Sequence, residues 1–362
     1  MKARGSLEII QPCKADQRSW SSLNCRMRRT MGASMMGVVL VLSAAAQDIH
    51  FSQFFNTPLA LGPAMTGGFN GQHRFNAIHR QQWRAVTVPY STFGLGWDQR
   101  DAFGTKGLGV GVWCYNDRAG DSRMNTFHLS AAASWRQPLD ALGDHSITAG
   151  MQAGASSRSI DRTGLSFDAQ YNGFAFDPQQ PTGERFDRDA LWHTDVHAGL
   201  CYQWRRNKRS DIQVGATMFN LSRPRIGYLG GPGEPLDRRL DLHVLTAFPA
   251  GSSLDLLPSL RYLHQGTFRE LDLGADIRHT LLHRHGLHRA LRVGLYLRAR
   301  DAGYAHAALE YDDWTVGLSY DLNTSRLVPA SRNRGGVELS AIYILRRRPA
   351  IPTRYISCPD QR

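Results

Sequence analysis

The sequence predicts an all-β fold, a transmembrane antiparallel β-barrel of about 14 strands behind a short N-terminal plug segment. Three observations predict it. An export signal stands ahead of the bulk of the chain. Behind it, apolar and polar residues alternate with a period of two, the geometry of a strand rather than a helix. No apolar run there reaches the roughly 20 residues of a spanning helix. The mean hydropathy of −0.38 would by itself suggest a soluble protein. A spanning barrel, however, hides its membrane signal in alternation, because every second residue faces lipid.

The export signal is embedded. Arg26, Arg28 and Arg29 form a positive region, and Met31–Ala46 is an apolar stretch that ends in small residues. Ala44 and Ala46 supply an A-x-A-like cleavage pattern, which sets the mature start at Gln47. An uncleaved membrane anchor is the rival reading, but the apolar run is short for one. Met27 and Met31 are candidate start codons, which would leave the residues before about 26 untranslated. The expected organisation is a leader over 1–46, an N-terminal seal over 47–70, a barrel over 71–345 and a C-terminal tail over 346–362.

Fourteen strand candidates follow in order. The first nine are Gly71–His79, Tyr90–Asp98, Gly107–Tyr115, Met124–Gln137, His145–Ser156, Leu191–Trp204, Asp211–Leu221, Arg239–Phe248 and Leu256–His264. The tenth, Glu270–His279, places Leu271, Leu273, Ala275 and Ile277 on one face and Asp272, Gly274, Asp276 and Arg278 on the other. The eleventh, Arg292–Arg300, opposes Val293, Leu295, Leu297 and Ala299 to Arg292, Gly294, Tyr296, Arg298 and Arg300. Tyr304–Tyr311 is the twelfth. Trp314–Leu322 sets Trp314, Val316, Leu318, Tyr320 and Leu322 against Thr315, Gly317, Ser319 and Asp321, and Gly335–Leu345 closes the series. An even count suits an up-and-down closure, and about 23 residues per strand and connection leaves room for strands of roughly 10 residues.

Two irregular stretches, Ile160–Asp189 and Arg223–Asp237, read as long loops on one side of the barrel. Trp83, Trp97, Trp135, Trp192, Trp204 and Trp314 lie near strand ends, where interfacial girdles form. A soluble sandwich or propeller would alternate in the same way with its apolar face inward. The polar face decides for a barrel: Asp272, Asp276, Arg278, Arg292 and Arg298 mix charge with glycine, as a wet lumen would.

Without the leader's seven basic and two acidic residues, the mature chain holds 36 basic and 29 acidic residues, a net charge of +7. The excess is almost all arginine, and no dense basic tract with interleaved aromatics suggests nucleic-acid binding. Arg205–Arg209 reads as a solvated hairpin tip. Cys13 and Cys25 fall in the leader. Cys114 and Cys201 read as small fillers within strands, and no C-x-x-C pair, including any with Cys358, suggests zinc or redox chemistry. There is no phosphate-binding loop, zincin helix or nucleophile elbow. In His279–Arg289, the histidines His279, His283, His285 and His288 lie between two strand candidates and read as a basic turn. No catalytic, cofactor or metal site is expected, and no enzymatic activity.

The Gln47–Gly68 segment, QDIHFSQFFNTPLALGPAMTGG, resembles the mature start of the PorP/SprF family, outer-membrane proteins of the type IX secretion system. Gln47, Asp48, Phe51, Ser52, Gln53, Phe54, Asn56 and Leu59 fit its pattern. Thr57 interrupts the usual Asn-Pro, and Gly62-Pro63-Ala64 replaces Asn-Pro-Ala. HRQQW (His79–Trp83), WCYNDRAGDSR (Trp113–Arg123), SYDLNTSRL (Ser319–Leu327) and GGVELSAIYIL (Gly335–Leu345) are similar to further elements of the family, in order. The resemblance implies a non-enzymatic barrel in a Gram-negative outer membrane. Its implied partners are membrane lipid, type IX secretion components and a secreted cargo or adhesin domain, with roles in secretion, surface anchoring or gliding. Anchoring could proceed by strand addition at an exposed edge or through loops. The Phe51–Phe55 segment would pack near the periplasmic end of the barrel, most simply as an apolar seal. A porin or a transporter of small or hydrophobic solutes is the rival function, and a soluble secreted β-protein the third.

Overall fold

The computed structural model describes residues 48–82, 84, 88–120, 123–161, 165–183, 188, 190–207, 209–228, 233–284, 287–325 and 333–346. Fourteen of its strands close an antiparallel barrel. They are β1 (His73–Gln82), β2 (Tyr90–Gln99), β3 (Leu108–Ala119), β4 (Met124–Pro138), β5 (His145–Ser159), β6 (Ala190–Asn207), β7 (Ser210–Phe219), β10 (Arg239–Pro249), β11 (Leu254–Gln265), β12 (Phe268–Arg284), β13 (Leu287–Arg298), β14 (Ala302–Tyr311), β15 (Trp314–Asn323) and β16 (Arg334–Leu345). β8 (Arg225–Ile226) and β9 (Glu234–Pro235) form a small ribbon within a loop. Each barrel strand pairs with its neighbours in the chain, and β1 closes on β16 from His73↔Leu345 to Gln81↔Val337. Every barrel strand is therefore paired on both sides, which removes the free edge expected to accept an added strand.

The alternation resolves as a barrel requires. On β13, Leu295 is 74% exposed and Val293 54%, while Arg298 is 2% exposed. On β12 and β15, Leu273, Ile277, Leu318 and Leu322 face outward, and Asp272, Asp276, Ser319 and Asp321 are buried inward. A soluble sheet would have reversed this. The chain is apolar outside and ionic inside because the outer solvent is hydrocarbon. Arg300 falls in the turn after β13 rather than on the strand.

The two ends differ. At one, β1 begins, β16 ends, and short connections join β2–β3, β4–β5, β6–β7, β10–β11, β12–β13 and β14–β15. The opposite end carries the connections 160–189 and 220–238. Among described residues the first of these holds a 3-10 turn at Asp168–Gln170 and a bridge from Tyr171 to Phe176. Trp97, Trp135, Trp204 and Trp314 all sit on outward faces near the short-turn end, with Tyr202, Tyr311 and Tyr343 beside them. The girdle is thus strongest on that side; Trp192 is at the long-loop end, and Trp83 lies outside the described residues.

Candidate functional site in the plugged lumen

Residues 48–69 run through the barrel interior. Asp48 meets Asn220 and Gln265 at the long-loop end, where β7 and β11 finish. Gly67 and Gly68 lie against Arg100, Gly107 and Arg136 at the short-turn end. Between them the chain makes three compact helical turns, Phe54–Asn56, Pro58–Leu61 and Pro63–Met65. Pro58 and Pro63 each open a turn, where a missing N–H costs no hydrogen bond. Turns satisfy backbone groups internally, which a segment with no neighbouring strand needs. Gly67 sits at φ +68° and directs its N–H to Asp98 Oδ2 at 2.7 Å, so the exit from the lumen depends on glycine.

Two apolar clusters seat this plug. Phe51 and Leu59 pack with Ile78 and Trp113, and Phe54, Leu61, Ala64 and Met65 pack with Cys201. Phe55 stacks on Tyr296 at 5.2 Å. The Phe51–Phe55 stretch therefore lies at mid-height and in the long-loop half of the lumen. The physical reason is that its polar members need partners held on the far halves of β1, β13, β15 and β16.

Those partners form a clasp. Glu338 accepts the N–H of Ser52 at 2.7 Å on one oxygen and that of Gln53 at 2.8 Å on the other. The Ser52 hydroxyl donates to Asp321 and accepts from Arg298 Nη2 at 2.7 Å. Gln53 donates from Nε2 to the Glu338 carbonyl and Ser319, and accepts from Asn56 and Ser340. Arg80 Nε lies 3.2 Å from Glu338, and its Nη1 donates to the His50 carbonyl. Ser52 and Gln53 are fully buried, so each of these polar groups needs its bond.

The rest of the lining is ionic and paired. Arg74 meets Asp98 at 2.7 Å, Arg261 meets Asp241 at 2.6 Å, and Arg292 meets Asp276 at 2.6 Å. Arg209 and Arg278 share Asp255, and Arg298 reaches Glu270, Asp272 and Asp321. The charges expected to line a wet lumen are thus directed at one another and at the plug. His50, on the plug, has its imidazole pushed well below its ordinary range by burial and by Arg80, Arg298 and Arg261. Glu270, 3.1 Å away, would favour the charged ring, but it also faces Arg298, and burial leaves the His50 ring neutral.

At the long-loop mouth a cavity of about 50 Å³ remains beside the plug, lined among others by Asp48, Tyr115, His128, His193, Asp195 and His197. The other histidine group, expected as a basic turn, lies across the β12–β13 hairpin at the short-turn end. His279 and His283 are on β12 and His288 on β13; His285 is outside the described residues. His288 pairs with Glu310 at 2.9 Å. Cys114 and Cys201 are free thiols on strands, and Cys358 lies outside the described residues.

The sequence motifs converge on the plug and its clasp. HRQQW contributes Arg80, WCYND contributes Trp113, SYDL contributes Ser319 and Asp321, and GGVELS contributes Glu338 and Ser340. His79 points outward and meets Ser91. Gly62, which replaces an asparagine, packs against Thr217, where a Cβ would stand 2.0 Å from its hydroxyl. The mouth histidines were missed. Their signal was present as His193-x-Asp195-x-His197, three inward positions of one strand.

A closed antiparallel barrel with an apolar exterior and a self-occupied lumen is a membrane β-barrel of the outer-membrane kind. The family model described as type IX secretion system membrane protein PorP/SprF matches residues 43–343, and the chain belongs to that family. Its fold and family are those of a membrane barrel rather than of a known enzyme class, and they point to the Gram-negative outer membrane. No curated protein matches the chain significantly. Among solved structures, the toluene transporter TodX of Pseudomonas putida is 9% identical, with 79% of this chain and 92% of that one covered at TM-score 0.46. The CymD monoaromatic hydrocarbon channel is 10% identical, with 84% and 96% covered at TM-score 0.45. These likenesses carry no functional argument.

Proposed function

We propose that the protein is a plugged scaffold of type IX secretion, which supports export or surface anchoring of a secreted cargo or adhesin domain without conducting solutes. The carrying observation is the occupation of the lumen by the chain's own residues 48–69, clasped by buried ionic partners. A barrel so filled has its exterior and loops left for partners. The connection at 160–189 offers exposed aromatics, Tyr171, Phe174 and Phe176, with Phe174 95% exposed. Unburied aromatics of this kind are what a partner surface uses as anchors. The closed sheet favours loops over strand addition as the docking route.

The mature protein would begin at Gln47 after signal-peptide removal at Ala46, which N-terminal sequencing of the membrane form tests. The scaffold reading is tested by co-purification from detergent-solubilised outer membrane, with partners identified by mass. A secretion component or a secreted protein should be retained, and fewer should be retained when Tyr171, Phe174 and Phe176 are all changed to serine. Recovery of the barrel alone would count against this function. The second reading, a transporter of small or hydrophobic solutes, is favoured only by the cavity at the long-loop mouth. It requires the plug to shift, and solute-dependent liposome swelling would support it over the scaffold.

A further inference from the structure

We infer that the cavity at the long-loop mouth is a binding site for a divalent transition metal of borderline softness, such as zinc, held by Asp195, His128 and His197 with His193 in reserve.

The fully buried lumen carboxylates of the described strands are Asp98, Asp195, Asp241, Asp255, Glu270, Asp272, Asp276, Asp321 and Glu338. Each of them except Asp195 has a described arginine within 4.0 Å. Asp195 instead has His128 Nδ1 at 3.9 Å, His193 Nε2 at 3.7 Å and the Ser156 hydroxyl at 3.3 Å. The two nearby arginines are engaged elsewhere: Arg158 and Arg239 each stand 3.7 Å from Asp48, which also receives Asn220 and Gln265. Burying a carboxylate without a cation is costly. In this lumen arginine meets that cost everywhere else, and here imidazoles take its place.

The geometry is that of ligands. One donor atom from each of His128, Asp195 and His197 lies within 4.8 Å of the others. Zinc bonds of 2.0–2.2 Å hold ligand atoms roughly 3.4 Å apart, a contraction that side-chain torsions can supply. His193, Asp195 and His197 alternate on β6, so a period of two directs all three inward, and His128 reaches them from β4 across β5. Asp195 Oδ1 and His193 Nδ1 are buried with no hydrogen-bond partner among the described residues. Ser156 and His128 already bond at 2.8 Å, the kind of support that orients a ligating ring. His197 accepts the Asn220 N–H at Nδ1, so its other nitrogen carries the proton when the site is empty. Two or three imidazoles with one carboxylate suit zinc, copper or nickel better than calcium or magnesium, which prefer all-oxygen shells.

The test titrates zinc chloride into the folded, detergent-solubilised mature barrel by calorimetry, and cobalt chloride by visible absorption. One zinc per barrel is expected, with cobalt giving the intense bands of a low-coordinate nitrogen–oxygen site. Asp195→Asn, which keeps the side chain's shape, and His193→Ala with His197→Ala should each weaken zinc binding at least about tenfold, the scale on which metal-site partners act. A variant with His279, His283 and His288 all changed to alanine should bind as the parent does. Circular dichroism and heat-modifiable gel mobility verify that each variant is folded. The inference is overturned if the parent takes up no stoichiometric metal, if folded Asp195→Asn binds zinc as tightly as the parent, or if only the hairpin variant loses it. The cobalt spectrum of the parent decides even if a variant does not fold.

Discussion

Glu338 joins the plug to the wall more directly than any other side chain, since both of its oxygens accept plug amides while Arg80 faces it. Glu338→Ala takes the nearest carboxylate from Arg80 and strands two buried N–H groups. We expect a loss of about 3–5 kcal/mol in denaturant unfolding of the detergent-embedded barrel, the usual consequence of breaking a buried pair. Retention of parent stability would show that the clasp does not hold the plug. His50 gives the plug a pH dependence. Its imidazole is depressed in the folded protein, so the folded state binds fewer protons than the unfolded one. Its stabilising contribution is complete above about pH 6.5, the ordinary histidine value, and is lost as pH falls below it. Unfolding midpoints compared between pH 7.5 and 5 should fall, and His50→Gln should flatten the change; an equal pH response in that variant would exclude His50. The residues of this clasp were partly legible in sequence. Phe51-Ser52-Gln53-Phe54 stood out as a motif, but nothing in a linear pattern says that its serine and glutamine amides meet an acid 285 or 286 residues later.

At the scale of elements, the strands were legible because a side-chain period of two survives in a sequence whatever lies on either face. The tenth candidate, Glu270–His279, lies inside the longer β12, and the first, Gly71–His79, starts two residues ahead of β1. The plug was not legible as structure. Its helical turns are only three or four residues long, too short for a helical period, and proline sets them. Its depth in the lumen follows from partners on distant strands. The mouth histidines were overlooked for a related reason: on a strand face, His-x-Asp-x-His looks like any polar side, and only closure brings His128 to it. The plug's fit to the wall makes a prediction of its own. A Cβ at Gly150 would stand 2.4 Å from the Pro63 carbonyl carbon, which is backbone and cannot move aside cheaply. Gly150→Leu should displace the Pro63–Met65 turn, destabilise the folded barrel by about 1–3 kcal/mol as overpacking does, and produce steady single-channel openings absent from the parent. A silent, fully stable variant would mean that the turn is not seated there.

For the whole molecule, inversion governs everything else: apolar side chains outside, paired ions and a self-supplied plug inside. It explains why a mean hydropathy of −0.38 belongs to a membrane protein, since the lumen contributes polar residues that lipid never meets. It also explains how sequence could indicate the barrel but not the state of its lumen, because charged inward residues line an open channel and clasp a plug equally well. Outer-membrane barrels in general carry their long loops on the extracellular side; we propose the same orientation here, with Tyr171, Phe174, Phe176 and the mouth cavity outside. The central claim is that this barrel is closed to solutes at rest. Single-channel recording of the purified mature protein in planar bilayers tests it most directly. No steady conductance above the bare membrane is expected; a large, steady conductance from the unaltered protein would show that the plug leaves the lumen open.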